Sequence, residues 1–343
     1  MDYVIKNGGS DLHLSEGRVP VIRVNGELIQ VEGKDALSKE EMEGILDILL
    51  SDDNKELFRE YQEVDFSCTT SNADRFRGNA YVQKGHPSVA LRLIPREVKT
   101  MEQLNLPPML EDFAEQKQGF FLVVGPTGHG KSTTLASMID YINGTRFEHI
   151  TSIEDPIEYI FKPKKSMIDQ REVRDDTVDF ATALRSAFRQ DIDVLMIGEM
   201  RTPETMATAV TAAETGHLVF STLHTNTAPQ TIDRIIDSFS AQQQDQIRVQ
   251  LASSLSGVLS QRLVPRVSGG LVPACELLVS NNAVSNLIRE ERTHELPTVI
   301  ETGSEEGMIS MNRSLADLVQ AGEISVDTAF SYSPNRRALE ELL

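Results

Sequence analysis

The 343 residues predict an α/β fold: a mostly parallel sheet with crossover helices, a smaller α+β domain ahead of it and a helical tail behind. Three observations carry that expectation. An apolar run, Phe120 to Val124, enters a glycine-rich turn, Gly125 to Ser132, which opens an amphipathic helix. Beyond it, buried-type strands alternate with helical patterns as far as Leu223. Before it, from Val4 to about Pro95, short alternating segments are broken by turn residues.

In that first region Asp11 to Leu14, Val19 to Ile29 around an Asn25-Gly26 turn, Val64 to Thr69, Arg75 to Gln83 and Ser88 to Ile94 read as strands. Lys39 to Leu50 puts Met42, Ile45, Leu46 and Leu49 on one helical face, and a second short helix is expected near Asn54 to Tyr61. Pro95 to Pro108 has prolines at both ends and few large apolar residues, so it reads as a linker with a hinge as one use. The expected boundaries are residues 1–97, a linker at 98–108, and 109–343 with tail helices from about 283.

The second domain starts with a helix near Met109 to Glu115. After the glycine turn, Leu135, Met138, Ile139 and Ile142 recur at helical spacing. His149 to Ile153, Val194 to Ile197 and Leu218 to Leu223 are strands. Between them lie helices at Thr177 to Arg189, with Phe180, Leu184 and Phe188 on one side, and at Pro203 to Thr215, where Pro203 suits a first helical turn. Ile247, Leu251, Leu255, Val258 and Leu259 predict one long amphipathic helix from Ala241 to Leu263. A strand follows around Leu271 to Val279. The tail is helical, with Met311, Leu315, Leu318 and Val319 forming an apolar face suited to packing on the core.

The glycine turn, GPTGHGKS, satisfies the G-x-x-x-x-G-K-[ST] phosphate-binding pattern in full. Gly125, Gly128 and Gly130 let backbone N–H groups converge, and the helix N-terminus adds its positive dipole end. The cradle comprises Gly125, Pro126, Thr127, Gly128, His129, Gly130, Lys131, Ser132 and Thr133. Lys131 is placed to reach the β- and γ-phosphates of a nucleotide, and the Ser132 hydroxyl to ligate Mg²⁺. His129 occupies a variable position, where a neutral side chain pointing to solvent is expected.

Parallel α/β sheets gather function at the carboxyl ends of their strands. Three groups stand there. Glu154, Asp155 and Glu158 cluster just past one strand. Gly198-Glu199 follows the apolar strand Val194 to Ile197, with glycine where many such segments carry a metal-binding aspartate, so Glu199 is the carboxylate suited to orient or deprotonate water. His217 and His224 bracket a core strand at opposite ends, and one of them is a candidate γ-phosphate sensor or link to a subunit interface. In the first domain Arg75, Arg77 and Arg92 lie on or beside strands, either as solvated faces or as arginines reaching a phosphate in a neighbouring subunit; periodicity does not separate the two.

Lysine and arginine total 33 against 52 acidic residues, a formal balance of −19. Such a surface repels a nucleic-acid backbone, and no basic block offsets it. Cys68 and Cys275 match no metal spacing, so a reduced compartment is expected and a zinc site is not. No segment approaches a membrane span and the N-terminus lacks a signal-peptide centre, so the expected location is cytoplasmic, with any membrane role exerted through a partner.

The segments SDLHLSEG, RFRGNAYVQ, IPREV, GPTGHGKSTT, SIEDPIEY, IGEMRTPET, AAETGHLVFSTLHTN, DRIID and SQRLVPR together resemble the secretion-type ATPases that drive type IV pili and type II secretion, over nearly the whole chain. Within that family the likeness is to pilus retraction ATPases. There is no room for the extra N-terminal domain of assembly ATPases, nor the cysteines for their four-cysteine metal segment. The stretch Ala283 to Glu290 is similar to a retraction-type segment, from which it departs by Val284 for isoleucine and Ser285 for arginine.

The resemblance implies a PAS-like first domain, a RecA-like ATPase domain, and a homohexameric ring that hydrolyses Mg²⁺-ATP between subunits. It also implies an inner-membrane pilus platform protein as partner, and twitching motility as output. Residue by residue, it makes Glu154, Asp155 and Glu158 an acidic box, and Glu199 the catalytic carboxylate of an atypical Walker B segment. His217 and His224 become a histidine box, and Arg77 and Arg92 the arginines facing the next subunit's nucleotide. An accessory pilus ATPase, a type II secretion ATPase and a RecA-like nucleic-acid translocase are the alternative readings.

Overall fold

The structure, a computed structural model, describes every residue except Asn25, Ala73 and Arg96, and divides into two compact units. The first comprises Met1–Glu97 with Glu158–Ile160, the second Val98–Ile157 with Phe161–Leu343.

In the first unit, α1 (Asp2–Lys6) leads into β1 (Asp11–Ser15), β2 (Val21–Val24) and β3 (Glu27–Gln30). The turn between β2 and β3 contains Asn25, which lies outside the described residues. Helices α2 (Lys39–Leu49) and α3 (Asp52–Tyr61) precede β4 (Glu63–Thr69), β5 (Arg75–Gln83) and β6 (His86–Leu93). Ser38 starts α2 with a capping box, accepting from the Glu41 N–H while Glu41 accepts from the Ser38 N–H.

All pairings in this sheet are antiparallel, in the order β3-β2-β1-β6-β5-β4. Its two faces alternate as period 2 demands. Leu12, Leu14, Ile22, Leu91, Val89, Ala80 and Phe66 face a core shared with Met42 of α2. The opposite face carries the polar partners.

In the second unit, α4 (Leu110–Glu115) leads into β7 (Gly119–Val124), α5 (Lys131–Thr145), β8 (His149–Glu154), β9 (Met167–Glu172), α6 (Phe180–Ala187), β10 (Val194–Ile197), α7 (Pro203–Glu214) and β11 (Leu218–Leu223). Then come α8 (Ala228–Asp237), α9 (Ala241–Ser254), β12 (Leu255–Pro265), β13 (Leu271–Val279), α10 (Asn282–Arg289), α11 (Leu296–Thr302), α12 (Met311–Gln320), α13 (Val326–Tyr332) and α14 (Arg336–Glu340). The sheet order is β13-β12-β7-β11-β10-β8-β9, parallel except for the β12–β13 pair. Every residue of β7, β10 and β11 is buried, as expected of parallel strands covered on both faces. Thr202 caps α7 from the Thr205 N–H, with Pro203 in its first turn.

Two expectations are corrected here. The helix expected over Ala241 to Leu263 ends at Ser254, and Leu255–Pro265 is a strand lodged between β7 and β13. The spacing of Leu251, Leu255, Val258 and Leu259 fits a helix by coincidence; Val258 and Leu259 instead pair with Leu122 and Val123. A Cβ at Gly257 would come within 2.8 Å of the Leu278 carbonyl oxygen, so strand packing there depends on glycine. The stretch 98–108 is no bare connector either, since Met101 and Leu106 are buried and it belongs to the second unit from Val98 onward.

The tail helices cover the β12–β13 pair: Met311, Leu315 and Ala316 of α12 share a core with Val264, Val272 and Ala274. Ser285, where a charged residue was the family expectation, donates to the Ala252 carbonyl of α9 at 2.8 Å. Its neighbours Val284 and Ile288 are buried in the main core.

Candidate active site

Register alone aligns the carboxyl ends of four strands. Val124 pairs with Leu223, and Ile197 pairs with both Ser221 and Ile153. The segments that follow β7, β11, β10 and β8 therefore emerge side by side: the glycine turn, His224, Glu199 and the acidic pair Glu154-Asp155.

The glycine turn needs its glycines. Gly125, Gly128 and Gly130 take φ of 143°, 80° and 82°, which L-residues rarely adopt. Gly130 is the N-cap of α5, which makes Lys131 and Ser132 the first two helical residues. Lys131 is only 7% exposed and its ammonium folds back to donate to the carbonyl oxygens of Gly125 and Pro126, both at 2.9 Å. It also lies 3.2 Å from His224 Nδ1.

Because an ammonium has hydrogens only to give, His224 Nδ1 must accept, which leaves the imidazole hydrogen on Nε2. That atom lies 3.2 Å from Glu199 Oε1. The second oxygen of Glu199 accepts from Arg201 Nη2 at 2.9 Å. Lys131, His224, Glu199 and Arg201 thus stand in one row, with hydrogen bonds from Lys131 to His224 and from Arg201 to Glu199, and a 3.2 Å ion-pair contact between His224 and Glu199. Burial pushes the Glu199 carboxyl up, but Arg201, His224 and Lys131 together hold it below its ordinary value. Arg201 is in turn kept firmly protonated by Glu199, with Asp155 adding to the field.

The turn carrying Glu199 is braced on both sides. The Gly198 N–H donates to the Ile153 carbonyl at 2.8 Å, and Thr222 Oγ1 donates to the Gly198 carbonyl at 2.7 Å. Glu154 is buried at 6% exposure and accepts from Ser152 Oγ at 2.7 Å and Gln170 Nε2 at 3.3 Å. Among the described residues no group of three or more His, Cys, Asp or Glu side chains could hold a metal ion. The oxygen donors available, the Ser132 hydroxyl and these carboxylates, have the hard chemistry that suits Mg²⁺ shared with phosphate oxygens and water.

His217 stands at the opposite end of β11, six strand residues before His224, where Nδ1 lies 3.1 Å from the Ala212 carbonyl oxygen and the ring meets Phe188 edge-on. The two histidines thus flank β11 at its opposite ends, as their bracketing of that strand predicts. Glu158 is exposed and groups with the first unit. His129 does not point freely to solvent: its Nδ1 accepts from the Leu263 N–H at 2.9 Å.

Arg77 and Arg92 belong to the first unit, where they pair across β5 and β6 on its polar face. Asp11, next along the same row, accepts from Arg92 Nε at 2.8 Å and from Ser10 Oγ at 2.7 Å. Burial raises the Asp11 carboxyl, yet these partners keep it below its ordinary value.

Sequence reasoning missed Arg201 and Gln261. Arg201 had a usable signal, a cation two residues beyond the key carboxylate. Gln261 had none short of its place in the sheet.

Residues 2–319 match the family described as type II/IV secretion system protein. The chain is 43% identical over 327 residues to the type IV pilus retractation ATPase PilT of Pseudomonas aeruginosa, covering 95% of both chains. It is 38% identical over 341 residues to the type IV pilus ATPase PilU of the same organism, covering 99% of this chain and 89% of that one. A crystal structure of the pilus retraction motor PilT with bound ADP superposes with a TM-score of 0.92 at 44% identity, covering 99% of this chain and 97% of the other.

Proposed function

The chain belongs to the type II/IV secretion system protein family, and we propose that within it this protein is the ATP-hydrolysing motor that powers retraction of a type IV pilus. The observation that carries the proposal is the agreement between whole-chain likeness to a retraction motor and the Lys131–His224–Glu199–Arg201 row at the strand ends.

ATP occupies the Gly125 to Thr133 cradle, its β- and γ-phosphates drawing Lys131 away from the Gly125 and Pro126 carbonyls. Ser132 and Glu199 would hold Mg²⁺, which would supply neutralisation of charge on the phosphates. The Glu199 carboxylate orients and accepts a proton from the attacking water, and the His224 Nε2–H fixes that carboxylate's orientation. Glu154, Asp155 and Glu158 supply the acidic surroundings.

Arg77 and Arg92 reach the nucleotide of an adjacent subunit in a homohexamer, where a guanidinium stabilises charge on the transferring phosphoryl group. The ring passes its movement to an inner-membrane pilus platform protein. The chain itself needs no membrane span for this: among the described residues no helix is long and apolar enough to cross one. The motor therefore works from the cytoplasmic face through its partner. No nucleic acid takes part, in keeping with the −19 balance.

Deletion of the gene in its host, with pili imaged, tests the direction of the motor. Excess pili that do not retract support the proposal; bald cells would assign the protein to extension. Normal pili that retract with reduced force would assign it an accessory role.

A further inference from the structure

The phosphate loop leans on a residue outside its own motif. Gln261 sits on β12, one position beyond the Ser260 that pairs with Val124 at the end of β7. Its side chain is 3% exposed, and both ends of its amide are engaged. Oε1 accepts from Thr134 Oγ1 at 2.6 Å, and Nε2 donates to the His129 carbonyl at 2.9 Å. Those two partners bracket Gly130, Lys131, Ser132 and Thr133.

The loop is also shaped around Gln261. A Cβ on Gly130 would come 2.9 Å from Gln261 Nε2, and one on Gly125 would collide with the Gln261 carbonyl oxygen. Glycine-rich loops are costly to order because their backbones have more freedom to lose. A buried amide satisfied at both ends is a rigid strut, and preorganised donors bind charge without reorganising.

We propose that Gln261 is the positioning residue of the phosphate loop. By tying the carbonyl just before α5 to a hydroxyl in its first turns, it holds the intervening N–H groups converged on the β-phosphate. This rests on the reading of the loop as an ATP site. Gln261 acts through His129 and Thr134, so its loss weakens nucleotide capture more than the chemical step.

The test uses the full-length assembled protein, with MgATP turnover and binding of a fluorescent ADP as readouts. Gln261→Met keeps the length and removes both hydrogen bonds; Gln261→Glu still accepts from Thr134 but cannot donate to the His129 carbonyl. Both are expected to raise the MgATP KM and the ADP Kd about tenfold, with kcat at saturation changed by less than about threefold, as follows from losing buried hydrogen bonds.

Thr134→Val removes one end only and should raise both constants about threefold; should Gln261→Met fail to fold, this variant carries the test alone. Combined with Gln261→Met it should add little, because both break the same strut. Leu315→Ala, in the tail core, should lower Tm and leave KM unmoved, which separates positioning from general loosening. Unchanged KM and Kd in the Gln261 variants, or full additivity in the double variant, would overturn the proposal. Failure of the unaltered protein to bind ADP would instead sink the ATP-site reading.

Discussion

His224 Nε2 lies 3.2 Å from Glu199 Oε1 while its Nδ1 lies 3.2 Å from Lys131 Nζ, so one imidazole joins the phosphate loop to the Glu199 carboxylate. His224→Ala removes a hydrogen bond to a charged group, worth about 1.5–3 kcal/mol. We expect kcat to fall about 10- to 100-fold with ADP affinity little changed. Steady-state turnover at saturating MgATP checks this, and an unaltered kcat would take His224 out of the mechanism.

Arg201 is expected to set the acid side of the pH profile. With it, the Glu199 carboxyl titrates below its ordinary 4.5, so the charged form and the stability it brings are present above the unfolded pKa and are lost as pH falls through the lower folded value. Arg201→Met removes the largest lowering influence and leaves burial to push the carboxyl up. The acid limb of kcat should therefore move to higher pH in the variant. Identical limbs in the two proteins would contradict the pairing.

His129 predicts a second pH effect of its own. Burial, then the charges of Arg262 and Lys131, hold its imidazole below the ordinary 6.5, and its Nδ1 accepts from the Leu263 N–H. The neutral form is the one that fits. Its contribution is present above pH 6.5 and is lost as pH falls through the lower folded value. ADP affinity measured between about pH 5 and 7.5 should weaken toward acid, and His129→Ser should flatten that slope. Parallel slopes would show that the loop does not feel this imidazole.

Arg92 should matter only in company. Its side chain is 72% exposed beside Asp11, so Arg92→Ala is expected to leave folding and subunit-level ADP affinity intact while lowering turnover of the assembled ring about 10³-fold or more. Turnover of isolated subunits equal to that of the intact ring would argue against catalysis across subunits.

The strand–loop–helix at residues 119–145 was legible because its signals are local: an apolar run, three glycines and a 3.6-residue period. Glu199 and His224 were legible for the same reason, lying two residues and one residue past buried strands. β9 was not, since MIDQRE is an edge strand with little apolar content and only one of its six residues is buried. β12 was misread as helix because its pattern is set by β7 and β13, partners far away in sequence. Gln261 shares that fate: its role exists only once the sheet has formed.

That distance has a temporal side. The hydrogen bond from Gln261 to His129 spans 132 residues, so the ribosome releases the phosphate loop well before the strand that braces it. At about 5–20 residues per second the delay is roughly 7–26 s. During that interval the nascent chain carries the complete glycine motif without a finished binding surface. ATP in the surrounding solution is therefore expected to favour the native state most in chains whose β12 has emerged and docked, and to protect shorter translation products from proteolysis less.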